Sequence, residues 1–201
     1  MRKALLHLKK ADPVLGGLIE RIGSYAIEFL EPSFGTLAKA IVYQQLSGKV
    51  AQVIYQRLAG ATGDGRLTAE AALRLSPARM RALGLSKQKI AYLRDLAGRT
   101  VSGEVDFAAL KRLPDRLVYR RLMALKGIGT WTVQMFLIFA LRRANVLPSA
   151  DLGIRAAVKK AYGLTELPPP AAVEALARPW HPYCTVACWY LWRSLEAKAG
   201  L

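Results

Sequence analysis

Cysteine and histidine are scarce in this chain, with two of each among 201 residues. Two thiols cannot fill a zinc or iron–sulfur site without partners, and His181 alone does not complete one. Cys184 and Cys188 stand at i and i+4 on a predicted helix, with Cα atoms near the far limit for a disulfide. They are expected as buried free thiols in a reducing compartment. His7 and His181 are incidental in this reading. Acid is short as well: 14 Asp and Glu stand against 30 Lys and Arg, a formal charge of +16 with a pI near 10.2. Such a surplus points to a polyanionic partner, nucleic acid before anything else. Period-2 alternation is almost missing, which excludes a sheet protein. No apolar run is long enough to cross a bilayer, the longest being Val133 to Leu141. Met1 to Lys10 carries charge throughout and lacks the apolar centre of a signal segment. A soluble cytoplasmic protein is expected, nucleoid-associated in a bacterium or nuclear in a eukaryote.

What is present is helical patterning. Hydrophobic residues make up 53% of the chain, and i, i+3, i+4 spacing recurs throughout, so the fold is read as all-α. Asp12 caps a helix from Pro13 to Ile22, and Ser24 to Ser33 is ambiguous. A long helix is read over 35–59, but Tyr43-Gln44-Gln45-Leu46-Ser47-Gly48 puts polar groups among its core positions, marking a break or an exposed face. The glycine-rich stretch 60–66 is a connection. Thr68, Ser76, Ser86 and Asp106 each cap a helix, and a further helix over 115–124 follows Pro114. Beyond Pro148 a helix runs over 151–162, a stiff Leu167-Pro168-Pro169-Pro170 linker follows, and two helices over 170–176 and 183–198 complete the chain. From Arg74 to Lys126 thirteen basic residues face four acidic ones. They are spread among apolar positions, as on a folded face and not a tail.

The chain is organised around Leu125-Lys126-Gly127-Ile128-Gly129-Thr130-Trp131-Thr132. A helix, a short Gly-x-Gly turn and a second helix make a helix-hairpin-helix pattern. Its second helix presents unpaired backbone N–H groups and the positive end of a dipole, a place for a phosphate. An isolated acid, Asp151, follows 22 positions beyond Gly129. By itself Pro148-Ser149-Ala150-Asp151 reads as a helix N-cap, a role compatible with a second one.

Leu125-Lys126-Gly127-Ile128-Gly129 with Asp151 resembles the helix-hairpin-helix, Gly/Pro-rich loop, Asp superfamily of DNA glycosylases. Leu37 to Ser47, the hairpin with Trp131, and Trp189-Tyr190-Leu191-Trp192-Arg193 are most similar to its alkyladenine branch, 3-methyladenine DNA glycosylase II. The chain departs from the pattern in places. The loop 143–150 has Pro148 but no Gly, and the lysine that bifunctional members use to attack the sugar is here Trp131. Leu152 and Met135 stand where some relatives carry aromatic residues.

The resemblance implies two helical lobes with a DNA cleft between them, residues 34–143 forming one and 1–33 with 144–201 the other, and no iron–sulfur cluster. It implies a monomeric, monofunctional glycosylase that hydrolyses the N-glycosidic bond of alkylated purines in duplex DNA, leaving an abasic site for base excision repair. Alternatives are a glycosylase for oxidised or mismatched bases and a non-catalytic helix-hairpin-helix DNA-binding module. In the leading reading Asp151 stabilises the sugar cation or activates water. Trp131, with Tyr43 and Trp180 behind it, offers aromatic faces to a cationic flipped base. Gly127, Gly129, Thr130 and Thr132 hold backbone phosphates. Gln45, or its neighbour Leu46, fills the hole left by the base, in a DNA-facing segment that includes Gln44 and Ser47. The carbonyls of Met123, Leu125 and Ile128 are candidate ligands for a structural Na+ or K+, and no other cofactor is expected.

Overall fold

The computed structural model describes residues 1–63 and 65–196. Among them every regular element is helical. The chain divides into two compact units, residues 30–136 and residues 1–29 with 137–201. No helix among the described residues is long and apolar enough to cross a membrane.

The central unit holds α3 (Phe34–Tyr43), α4 (Gly48–Gly60), α5 (Ala69–Arg74), α6 (Pro77–Ala82), α7 (Lys87–Val101), α8 (Phe107–Arg112), α9 (Asp115–Met123) and α10 (Thr130–Met135), numbered with α1 and α2 of the other unit before them. The caps fall where the sequence puts them. Thr68, Ser76 and Ser86 each accept one N–H of the following first turn, and Asp106 accepts two. The fifteen-residue α7 is the axis of this unit. It packs against α3, α5 and α6 and buries Ile90, Leu93, Leu96 and Ala97. What reads as one helix over 35–59 is two, because the chain leaves helical geometry at Gln44 and re-enters it at Gly48.

The other unit is built from α1 (Arg2–Ala11), α2 (Pro13–Ile22), α11 (Leu152–Ala161), α12 (Pro170–Leu176) and α13 (Cys184–Glu196). Helix α1 is not legible in the sequence. Arg2, Lys3, Lys9 and Lys10 crowd its two ends with charge, yet Ala4 and Leu8, one turn apart, are both buried. The segment 24–33 has no helix. Helix α13 is the centre of this unit, packing on α2 and α11, with Ala187, Cys188, Tyr190 and Leu191 buried. Cys184 and Cys188 are free and buried. Burial pushes the Cys184 thiol up to about 12 and raises that of Cys188 as well. Ala197 and Lys198, the end of the expected last helix, lie outside the described residues.

Candidate active site

In the central unit α9 buries Val118 and Leu122, and the turn that follows is pinned inward by Leu125 and Ile128, both buried. Gly127 has φ +78°, and a Cβ there would lie 2.1 Å from the Tyr92 ring. Both conformation and close approach therefore demand glycine. The turn's polar groups are shared out. The Lys126 N–H donates to Asp95 Oδ2 at 3.0 Å, the Ile128 N–H reaches the Leu125 carbonyl at 3.3 Å, and the Gly127 carbonyl accepts from Gln44 Nε2 at 2.8 Å. Gly129 is the N-cap of α10, with no side chain capping the first turn. A Cβ at Gly129 would meet nothing within 4 Å. An uncapped N-terminus with open space beside it suits an incoming anion.

Side chains around the turn divide by burial. Trp131 is 49% exposed. Thr130 is exposed, its hydroxyl 3.8 Å from Met123 Sδ. Thr132 is buried, so of its expected DNA contacts only a backbone one is open to it. Beyond Met135 the helix widens into a π turn over Phe136–Ala140, a device frequent near functional sites.

Between α3 and α4 the chain makes an exposed tip. Gln44 is extended (φ −54°, ψ 130°) and Gln45 sits in the left-handed region at φ +56°. For a residue with a Cβ that costs roughly 1–2 kcal/mol, and such positions persist only where the surroundings impose them. Gln45, Leu46 and Ser47 are exposed. Ser47 is the N-cap of α4 without a side-chain bond to it. Gln44 is not a free surface group, since its amide is spent on the hairpin carbonyl. Tyr43 is half-buried with the Lys39 ammonium 5.4 Å from its ring centroid. That face already holds a cation, which weighs against a cationic base there.

In the other unit Asp151 caps α11. Its Oδ1 accepts the Ile154 N–H at 2.8 Å and the Trp192 indole Nε1–H at 2.9 Å. The loop leading in is tied down, with the Asp151 N–H on the Pro148 carbonyl at 2.9 Å and the Ser149 hydroxyl on Glu174 Oε1 at 2.7 Å. Trp192 stacks on Phe139 with ring centroids 6.0 Å apart and planes 25° from parallel. Both rings are half-buried. A Cβ on Gly153 would lie 3.0 Å from Asp151 Oδ1 and 3.1 Å from Trp192 Cδ1. Glycine here keeps the space in which acid and indole meet.

Trp180 is a correction. It has no exposed surface, and its indole donates to Asp12 Oδ2 at 2.7 Å inside the core. It cannot face a base. Phe139, Trp192 and Gly153 take the place beside the acid that the sequence leaves unassigned. The aromatic density of Trp189-Tyr190-Leu191-Trp192 is the available signal for Trp192. Phe139 sits unmarked in an apolar run that reads as core.

Carboxylate, indole donor and aromatic pair form one constellation, and the uncapped hairpin forms another. Among the described residues no group of three or more His, Cys, Asp or Glu could hold a metal. Residues 38–182 match the HhH-GPD superfamily base excision DNA repair protein family. The chain is 34% identical over 200 residues to DNA-3-methyladenine glycosylase 1 of Schizosaccharomyces pombe, covering 96% of this chain and 87% of the relative. Its fold superposes on that of a Schizosaccharomyces pombe 3-methyladenine DNA glycosylase in complex with abasic DNA, with a TM-score of 0.88, 33% identity, and coverage of 96% and 97% of the two chains. A DNA-3-methyladenine glycosidase from Bacillus halodurans gives a TM-score of 0.86 at 36% identity, covering 94% of this chain and 86% of that one.

Proposed function

Because the chain belongs to the HhH-GPD superfamily of base excision DNA repair proteins, we propose that it removes alkylated purines of the 3-methyladenine and 7-methylguanine type from duplex DNA. The observation that carries this reading is the Asp151–Trp192–Phe139 constellation. An alkylated purine is cationic, its glycosidic bond is already weak, and its departure needs little acid. What it needs is a place outside the duplex and an aromatic face, worth roughly 0.5–2 kcal/mol per ring through cation–π attraction. Phe139 and Trp192 supply adjacent rings; Trp131, in the other unit, is exposed.

Departure of the base leaves positive charge on the sugar. Asp151 is the carboxylate that stabilises this charge or deprotonates the attacking water. Its bonds to the Ile154 N–H and the Trp192 indole hold it in place, so little reorganisation accompanies bond breaking. The hairpin holds backbone phosphate through the N–H groups at the start of α10, a contact independent of sequence and therefore suited to scanning. Gln45 occupies the gap in the stack. With Trp131 where a lysine would form a Schiff base, the product is an abasic site on an uncut strand. The carbonyls of Met123, Leu125 and Ile128 are neutral hard oxygens. They suit Na+ or K+ better than a divalent ion, and such an ion would stiffen the turn.

A panel of duplexes, each with one damaged base, tests this reading. Alkali-labile sites are expected at 3-methyladenine and 7-methylguanine, with no strand cut before alkali. Release of an oxidised or mismatched base in their place would move the chain to that sister class. DNA binding with no base released would make it a binding module.

A further inference from the structure

The exposed tip at Gln45 is held from below. The Lys89 ammonium, on the first turn of α7, donates to the Val42 carbonyl at 2.6 Å and the Gln44 carbonyl at 2.8 Å. These carbonyls lie where α3 ends, the place where a helix leaves its last acceptors unpaired and where a cation is favoured. The Gln44 side chain turns the other way and donates to the hairpin carbonyl of Gly127 at 2.8 Å. Gln45 follows at once in its left-handed conformation. Three bonds, bridging 45 to 83 residues of sequence, thus converge on the segment just before the tip. Lys89 is half-buried and its pKa is lowered by that burial, so its charge serves these carbonyls at a desolvation cost.

We propose that Lys89 and Gln44 are positioning residues for the gap-filling tip: together they impose the strained backbone of Gln45 and lock its position to the phosphate-holding hairpin. A phosphate caught by the hairpin then fixes where the tip enters the stack. This inference rests on Gln45 as the group that fills the gap; it takes the Gln44 side chain out of the direct DNA contacts and gives Lys89 no such contact. A lysine this close to a DNA-facing loop would otherwise be assigned to a phosphate.

The two roles differ in what they do to unpaired substrates. Lys89→Met should slow excision of a paired lesion by about tenfold or more, the size expected when a charge-assisted hydrogen bond is lost. The same variant should act nearly normally when the lesion lies in single-stranded DNA, where no partner base has to be kept out. Its affinity for undamaged duplex and the slope of that affinity against salt should stay as in the parent. Lys89→Arg, which can still reach both carbonyls, should recover part of the rate. Gln44→Met should reproduce the paired-only defect with Lys89 intact, and it carries the test if Lys89→Met lowers the yield of folded protein. In a Gln45→Ala background the Lys89→Met defect should shrink, because the two act through one tip.

Equal slowing on paired and single-stranded lesions, with the salt slope reduced by about one, would make Lys89 a phosphate contact and overturn the proposal. A normal rate on paired lesions for both Lys89→Met and Gln44→Met, while Gln45→Ala is slow, would overturn it and leave Gln45 in place. A normal rate for Gln45→Ala itself would remove the gap-filling role and this inference with it, leaving the chemistry at Asp151 untouched.

Discussion

Two aspartates in the same unit have the same local job and different fates. Asp12 and Asp151 each cap a helix, and each accepts an indole N–H from a distant tryptophan. Asp12 is buried and divides its bonds between both oxygens. Oδ1 takes the Val14 and Leu15 N–H groups, and Oδ2 takes the Trp180 indole at 2.7 Å and the Tyr162 hydroxyl at 2.5 Å. Burial, then the bond to Asp12, raises the Tyr162 phenol well above its ordinary range. Asp151 is half-buried, and its helix cap and its indole bond fall on the single oxygen Oδ1. The first arrangement spends a carboxylate on holding the core; the second holds a carboxylate still. Helix capping therefore distinguishes nothing here. The degree of burial and the rings alongside do.

The sharpest break of the comparison is Asp151→Asn. Asparagine caps a helix about as well as aspartate, so thermal stability should change little. The carboxylate proposed to face the sugar cation is lost, and excision should fall by at least about a hundredfold. DNA binding should persist. Near-parental excision by this variant would return Asp151 to the status of Asp12, a cap and nothing more.

The reciprocal change is Asp12→Ala. It strands an indole N–H, a phenol and two backbone N–H groups in the core. At about 1–3 kcal/mol for a buried unsatisfied group, a loss of several kcal/mol is expected, read as a lower urea midpoint. The protein that remains folded should excise at the parental rate. A loss of rate per folded molecule matching that of Asp151→Asn would erase the difference between the two sites.

Finer changes test the support around Asp151. Trp192→Phe keeps a ring against Phe139 and deletes the indole N–H. Gly153→Ala pushes a methyl to 3.0 Å from Asp151 Oδ1. Each should lower the single-turnover rate by about tenfold, the scale of one hydrogen bond to a charged group, with little loss of DNA affinity. If Trp192→Phe weakened binding and spared the rate, the indole would be a substrate contact and not a support for the acid.

The two aspartates also show what the sequence can reveal. Both caps are legible, because capping is decided within four residues and Asp-Pro and Pro-Ser-Ala-Asp carry that information locally. The hairpin is legible for the same reason: its geometry is imposed by Gly127, whose neighbour Tyr92 only reinforces a left-handed φ. The tryptophan partners are not. Trp180 meets Asp12 across 168 residues and Trp192 meets Asp151 across 41, and no periodicity encodes which indole finds which acid. The sequence accordingly offers Trp180 to the base and leaves Trp192 without a role at the acid. The break at Gln44 is visible as polar residues in an apolar stripe. Lys89, which holds that break, sits on another helix and leaves no trace in the stripe.

The smallest effect concerns the thiols packed in this unit. Cys184 is buried and its thiol is raised from 9.0 to about 12. Cys188 is raised too, by burial first, then by Cys184 and by the charge of Asp151. A thiol whose folded pKa lies above its unfolded value keeps its proton longer in the native state. Its contribution to stability is whole below the unfolded pKa and is lost as pH rises toward the folded one. Unfolding free energy should therefore fall between pH 9 and about 12, by up to about 1.4 kcal/mol per pH unit for each such thiol. Cys184→Ala should flatten this limb whatever it does to stability at neutral pH. Asp151→Asn should bring the Cys188 part of this limb to its end at a lower pH, since an uncharged neighbour no longer raises that thiol, and Asp12→Ala should leave the Cys188 share unchanged. Urea midpoints followed up the alkaline limb compare the three variants. An Asp151→Asn limb that ends at the same pH as the parent's would mean that the charge of Asp151 is not felt at Cys188.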